Sequence, residues 1–141
     1  LSLQLFARRY PQEVAALLLL DSSHPSQMSG ARGHPPITAW TTLLRLYMSG
    51  TRGQEFRALD ASGRDVLSAP ALTGQPVIVL NAGVDPTRSG RPLTEHERLR
   101  VDLFRLYPTC RQRWVDSTHD LARQRPEVVI EAIRELVDGA R

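Results

Sequence analysis

Residues 14–21, VAALLLLD, and residues 76–83, PVIVLNAG, decide the fold. Both are continuous apolar runs rather than alternating ones. A strand with one wet face alternates, whereas a strand covered by helices on both faces is apolar at nearly every position, and such covering is a property of parallel sheets. Residues 14–21 therefore read as a buried strand closed by Asp21. Residues 76–83 read as a second, rich in β-branched residues, with a glycine where the run breaks. Residues 113–117, RWVDS, are shorter and more mixed, which fits a third strand nearer the sheet edge.

Helical signals lie between and around these runs. Leu1, Leu5 and Phe6 share one side of a helix that Pro11 stops. Thr94 followed by Glu97 is a capping box, and Leu99, Leu103, Leu106 and Tyr107 line one face until Pro108. Pro126 occupies a favoured first helical position, Val129, Ile133, Leu136 and Val137 supply an apolar face, and Gly139 can close the helix. Strands alternating with helices predict the α/β class: about three strands of a mostly parallel sheet with flanking helices. Residues 22–75 are too long for an ordinary crossover and rich in Gly, Pro, Ser and Thr. They read as a cap-like or lid-like insertion within one partial domain spanning residues 1–141. A helix over residues 37–48 is expected there, with Trp40, Leu43, Leu44 and Tyr47 as its apolar stripe.

Composition narrows the function classes. The chain has 141 residues and 41% hydrophobic content, about one soluble domain. No apolar run approaches the roughly 18–20 residues of a membrane span, so none is expected. No signal peptide is in view at residue 1, so the expected location is cytoplasmic, with the sequence upstream left open. All 18 basic residues are Arg. With a net charge of only +3 and acids interleaved throughout, they form no basic stripe, which argues against nucleic acid as a partner. Cys110 is the single cysteine, so there is no intrachain disulfide and no CxxC pair. His34 and His96 lack partners at zinc-like spacing. The expected partner is a small-molecule substrate, with no metal and no cofactor, and the oligomeric state stays open.

His119 sits in a polar loop (DSTHD) after a short strand and before the Pro126 helix, exposed enough to reach a substrate. Histidine ionises near neutral pH, so it can accept a proton from a weak nucleophile when a carboxylate holds the imidazole in the productive tautomer. Asp85, just past the second strand, is the preferred acid, although Asp-Pro also initiates turns. Asp21, closing the first strand, is the alternative acid. Asp116 and Asp120 are too close to His119 in sequence to orient it. His24, in DSSHP, reads as structural before pocket-lining. Ser22, Ser23 and Ser117 lack the flanking glycines of a strained nucleophile turn.

Three segments, LFARRYPQEVAALLLLDSSHP (5–25), PVIVLNAGVDP (76–86) and VDSTHDLARQRPEVVIEAIRELV (115–137), together resemble the C-terminal half of a serine hydrolase of the α/β-hydrolase fold. They are similar to the helix and strand after the nucleophile elbow, the acid-bearing strand and loop, and the closing histidine loop with its helix. The resemblance implies a Ser-Asp-His triad in the family's chain order, with His119 catalytic and Asp85 or Asp21 as acid. It also implies cleavage of an ester or other acyl-type bond without a cofactor. The family's G-x-S-x-G is not found in these residues, and the elbow serine would fall about three residues before Leu1. The fragment alone is therefore expected to be inactive. Two alternatives remain: haloalkane dehalogenase or epoxide hydrolase chemistry with an aspartate nucleophile, and a noncatalytic binding member of the fold.

Overall fold

The two apolar runs form strands, and a third pairs with them. In the computed structural model, which describes residues 1–27, 58 and 61–140, β1 (Leu17–Leu20), β2 (Val77–Ala82) and β3 (Cys110–Val115) make one sheet in the order β1-β2-β3. All neighbours are parallel, with Leu17 opposite Val77 and Val77 opposite Cys110. The remaining elements are α1 (Ser2–Arg9), a helix α2 over residues 61–68, α3 (Glu95–Asp102), α4 (Leu121–Gln124) and α5 (Pro126–Gly139). Single 3₁₀ turns cover Pro11–Glu13, Pro86–Ser89 and Leu103–Leu106.

β2 is buried at all six positions, as a central parallel strand must be. Alternation sends Leu17, Leu19, Val77 and Val79 to one face, where they pack with Ala7 of α1, Leu72, Leu103 and Tyr107. Ile78, Leu80, Ala82 and Val115 face the other way, onto Leu121, Ala132 and Leu136 of α4 and α5. The architecture is mixed α/β, a three-stranded parallel sheet with helices on both faces. Among the described residues no helix is long and apolar enough to cross a membrane.

Three local expectations are corrected. The third strand starts at Cys110 and stops at Val115, not at residues 113–117. Its polar residues hid it: Arg111 and Arg113 both ion-pair with Glu135 of α5. α1 does not bury Phe6, which is 44% exposed; it buries Gln4, Ala7 and Arg8. Both polar side chains find partners inside, through both ends of the Gln4 amide and the two terminal nitrogens of Arg8, while Arg8 Nε is buried without a hydrogen-bond partner among the described residues. Gln4 donates to the Ser22 hydroxyl and the Ser23 carbonyl and accepts from the Tyr107 hydroxyl, and Arg8 donates to the carbonyls of Val66, Ala69 and Leu106. Finally, α5 buries Ala132 and Leu136, while Ile133 and Val137 stay about half exposed.

The helix expected over residues 37–48, with its apolar stripe, lies outside the described residues, as does His34. The described ends of the 22–75 span pack on the body. Val66 and Leu72 are buried, and Gly63 lies against the Pro25 carbonyl, where a Cβ would come within 2.1 Å of the oxygen.

Candidate active site

Because the strands run parallel, the residues that follow them emerge at one edge of the sheet, the place where open α/β sheets bind ligands. Asp21 follows β1, Gly83 to Asp85 follow β2, and His119 lies four residues past β3. Asp21 turns sharply, with φ of 39°, the single non-glycine residue at positive φ among those described. Aspartate and asparagine tolerate this left-handed region better than most side chains, at a cost of about 1 kcal/mol or more. The turn brings the carboxylate back over the strand ends.

There its two oxygens are divided between partners. Oδ1 accepts from the Ala82 N–H at 3.1 Å and from the Arg100 guanidinium. Oδ2 faces Nδ1 of His119 at 2.7 Å. The Asp21 side chain is 14% exposed, whereas the imidazole is 86% exposed. Burial pushes the Asp21 carboxyl upward, but the hydrogen bonds from His119 and Ala82 and the charges of Arg100 and His119 outweigh it, so the group titrates below its ordinary value. An ionised carboxylate can only accept, so Nδ1 carries the hydrogen and, in the neutral ring, Nε2 is the basic nitrogen. Among the described residues Nε2 has no hydrogen-bond partner.

Asp85, first choice as acid from the sequence, is engaged elsewhere. Its Oδ1 accepts from the Thr87 N–H at 3.0 Å and the Thr87 hydroxyl at 2.7 Å, capping the 3₁₀ turn at Pro86–Ser89. The turn chemistry of Asp-Pro-Thr decides its position, and His119 is brought to Asp21 instead. Asp120 pairs with Arg123 at 2.7 Å, and the Asp116 carbonyl receives Arg125. His24 is buried: its Nδ1 accepts the Ser26 N–H at 3.0 Å, and its Nε2 lies 3.7 Å from Asp102. Ser22 accepts from Gln4, Ser117 caps its own strand through the Val115 carbonyl, and His96 is exposed.

One residue that contacts this pair carried no weight in the sequence reading. Arg100 touches Asp21 across 79 positions and had no local signal. Away from the pair, Asn81 of β2 is fully buried, lies opposite Trp114 across the sheet, and has neither amide atom hydrogen-bonded among the described residues. No protein-family model, curated protein or solved structure matches this chain.

Proposed function

We propose that the protein is a hydrolase of ester or other acyl-type bonds, with His119 as general base, Asp21 as its orienting acid, and a serine nucleophile supplied from sequence upstream of Leu1. The observation that carries this reading is the 2.7 Å contact from His119 Nδ1 to Asp21, which leaves Nε2 as the open, basic nitrogen at the carboxyl edge of a parallel sheet. In the reaction, Nε2 takes the proton of the serine hydroxyl as its oxygen attacks the acyl carbon. The imidazolium then returns that proton to the departing alkoxide, and water repeats the sequence on the acyl-enzyme. The position of α1 supports the same assignment. Gln4, in its first turn, bonds to Ser22 and Ser23 just past β1, so the helix start lies at the edge that carries His119.

The test uses the protein with its upstream sequence intact. A fluorophosphonate should label the serine, a short p-nitrophenyl ester should be hydrolysed, and His119→Ala should abolish turnover. Asp21→Asn should lower kcat by a factor on the order of 10⁴, the cost of replacing the orienting aspartate in a serine-protease triad. Asp85→Asn should stay within a few-fold of the parent. Unchanged turnover in His119→Ala removes the histidine from the mechanism, and a collapse in Asp85→Asn alone returns the acid to that position.

A further inference from the structure

Arg100 is held from several directions at once. Its guanidinium, 19% exposed, ion-pairs with Asp21 Oδ1 and donates to the Ala82 carbonyl at 2.6 Å. It lies over the Trp114 ring, 4.8 Å from the centroid. Its own carbonyl accepts from the Gln112 side chain at 2.7 Å, which ties this turn of α3 to β3. An arginine is a planar fork of fixed donors, so one that binds a carboxylate, a carbonyl and an aromatic face together has little freedom left.

We infer that Arg100 is a positioning residue for the Asp21–His119 pair: it occupies Asp21 Oδ1, so that Oδ2 is the oxygen presented to the imidazole, and it offsets the carboxylate charge next to the ring. The inference rests on Asp21 as the acid of the proposed hydrolase and adds a third member that controls it. The consequence is electrostatic as well as geometric. A bare carboxylate at 2.7 Å stabilises imidazolium and would keep the base protonated as the pH rises, whereas a carboxylate already paired with a guanidinium does so less. Arg100 therefore weakens the pull of the Asp21 charge on a ring proton.

Among the described residues, the other charged groups around the histidine do not compete for this role. In its own loop, Asp120 is paired with Arg123, and Asp116 lies beside Arg125, which donates to its carbonyl. Arg125 of the following segment is also paired with Glu127 at 2.6 Å. On α3, Asp102 faces Arg105 and His24 rather than the imidazole.

The experiment is a ¹H–¹⁵N histidine titration of the protein, with the His119 signals assigned by their loss in His119→Gln. It reads both the ring titration midpoint and the hydrogen-bonded Nδ1–H resonance downfield of the amide region. Arg100→Gln removes the charge but keeps a polar side chain. Its His119 midpoint should rise by roughly 0.5–1 pH unit, and the Nδ1–H resonance should broaden or vanish. Arg100→Lys should hold the midpoint near the parent value, yet broaden the same resonance, because one ammonium cannot reach Asp21, Ala82 and the Trp114 face together. A folded Arg100→Gln protein with parental midpoint and resonance overturns the inference. If that variant does not fold, a parental, sharp Nδ1–H resonance in Arg100→Lys overturns it instead. These readouts do not depend on turnover: failure of fluorophosphonate labelling would discard hydrolysis while leaving the Arg100 result standing.

Discussion

At the residue scale, Asp21 combines a strained backbone with a carboxylate that is satisfied on both oxygens. Asparagine tolerates the same left-handed backbone, so Asp21→Asn tests the charge rather than the turn. Because the folded-state carboxyl titrates below its ordinary value of 3.8, its contribution to stability is present in full above that value and is lost as the pH falls through the lowered folded value. Urea unfolding at pH 6 and pH 3 should therefore show a larger loss of midpoint in the parent than in Asp21→Asn, and equal losses would deny the linkage. The sequence made His119 legible through its polar loop and chain order, and placed Asp21 second. Which of the two aspartates His119 meets was not written locally. Asp85 is drawn into its own turn by Thr87, two residues away, while Asp21 meets its partners 79 and 98 positions along the chain.

At the scale of elements, α1 and α3 are anchored by polar groups. Arg8 is 6% exposed and serves three carbonyls from α2, the turn after it and the 3₁₀ turn before Tyr107. Arg8→Met would strand those buried acceptors, and a loss of about 2–4 kcal/mol is expected from chemical denaturation. Arg8→Lys should recover little, since a single ammonium cannot reach all three. The Thr94–Glu97 capping box forms as the sequence predicts, and Thr94→Ala should cost about 1 kcal/mol. Its acid is held by Arg91 and the Thr94 N–H and pulled down to about 2. The stabilisation is therefore complete above the ordinary value of 4.5 and fades as the pH drops toward 2, a decline that Glu97→Gln should flatten. β1, β2 and the capped start of α3 were legible because burial on both faces and a capping box leave local patterns, whereas Gly139, expected to close α5, is its last helical residue with Ala140 at the cap. β3 and the buried side of α1 were not, because Arg111, Arg113, Gln4 and Arg8 are made compatible with those positions by partners distant in sequence.

At the scale of the whole molecule, the outer side of β1 has no strand partner among the described residues. Leu3 and Phe6 of α1 and Ile133 and Val137 of α5 flank it, 69%, 44%, 47% and 49% exposed, around an apolar groove of about 540 Å³. An open edge with apolar rims is a place where a further strand can add. The strand register carries a separate consequence for how the chain assembles. Joining β1 to β2 closes a loop of about sixty residues, against about half that for β2 and β3, so the second pairing has the smaller entropic barrier. β2, β3 and α5 should gain amide protection first and β1 last. Since Asp21 follows β1 and His119 follows β3, their contact can close only when both strands have paired with β2, which makes the imidazole–carboxylate pair a built-in reporter of the completed sheet.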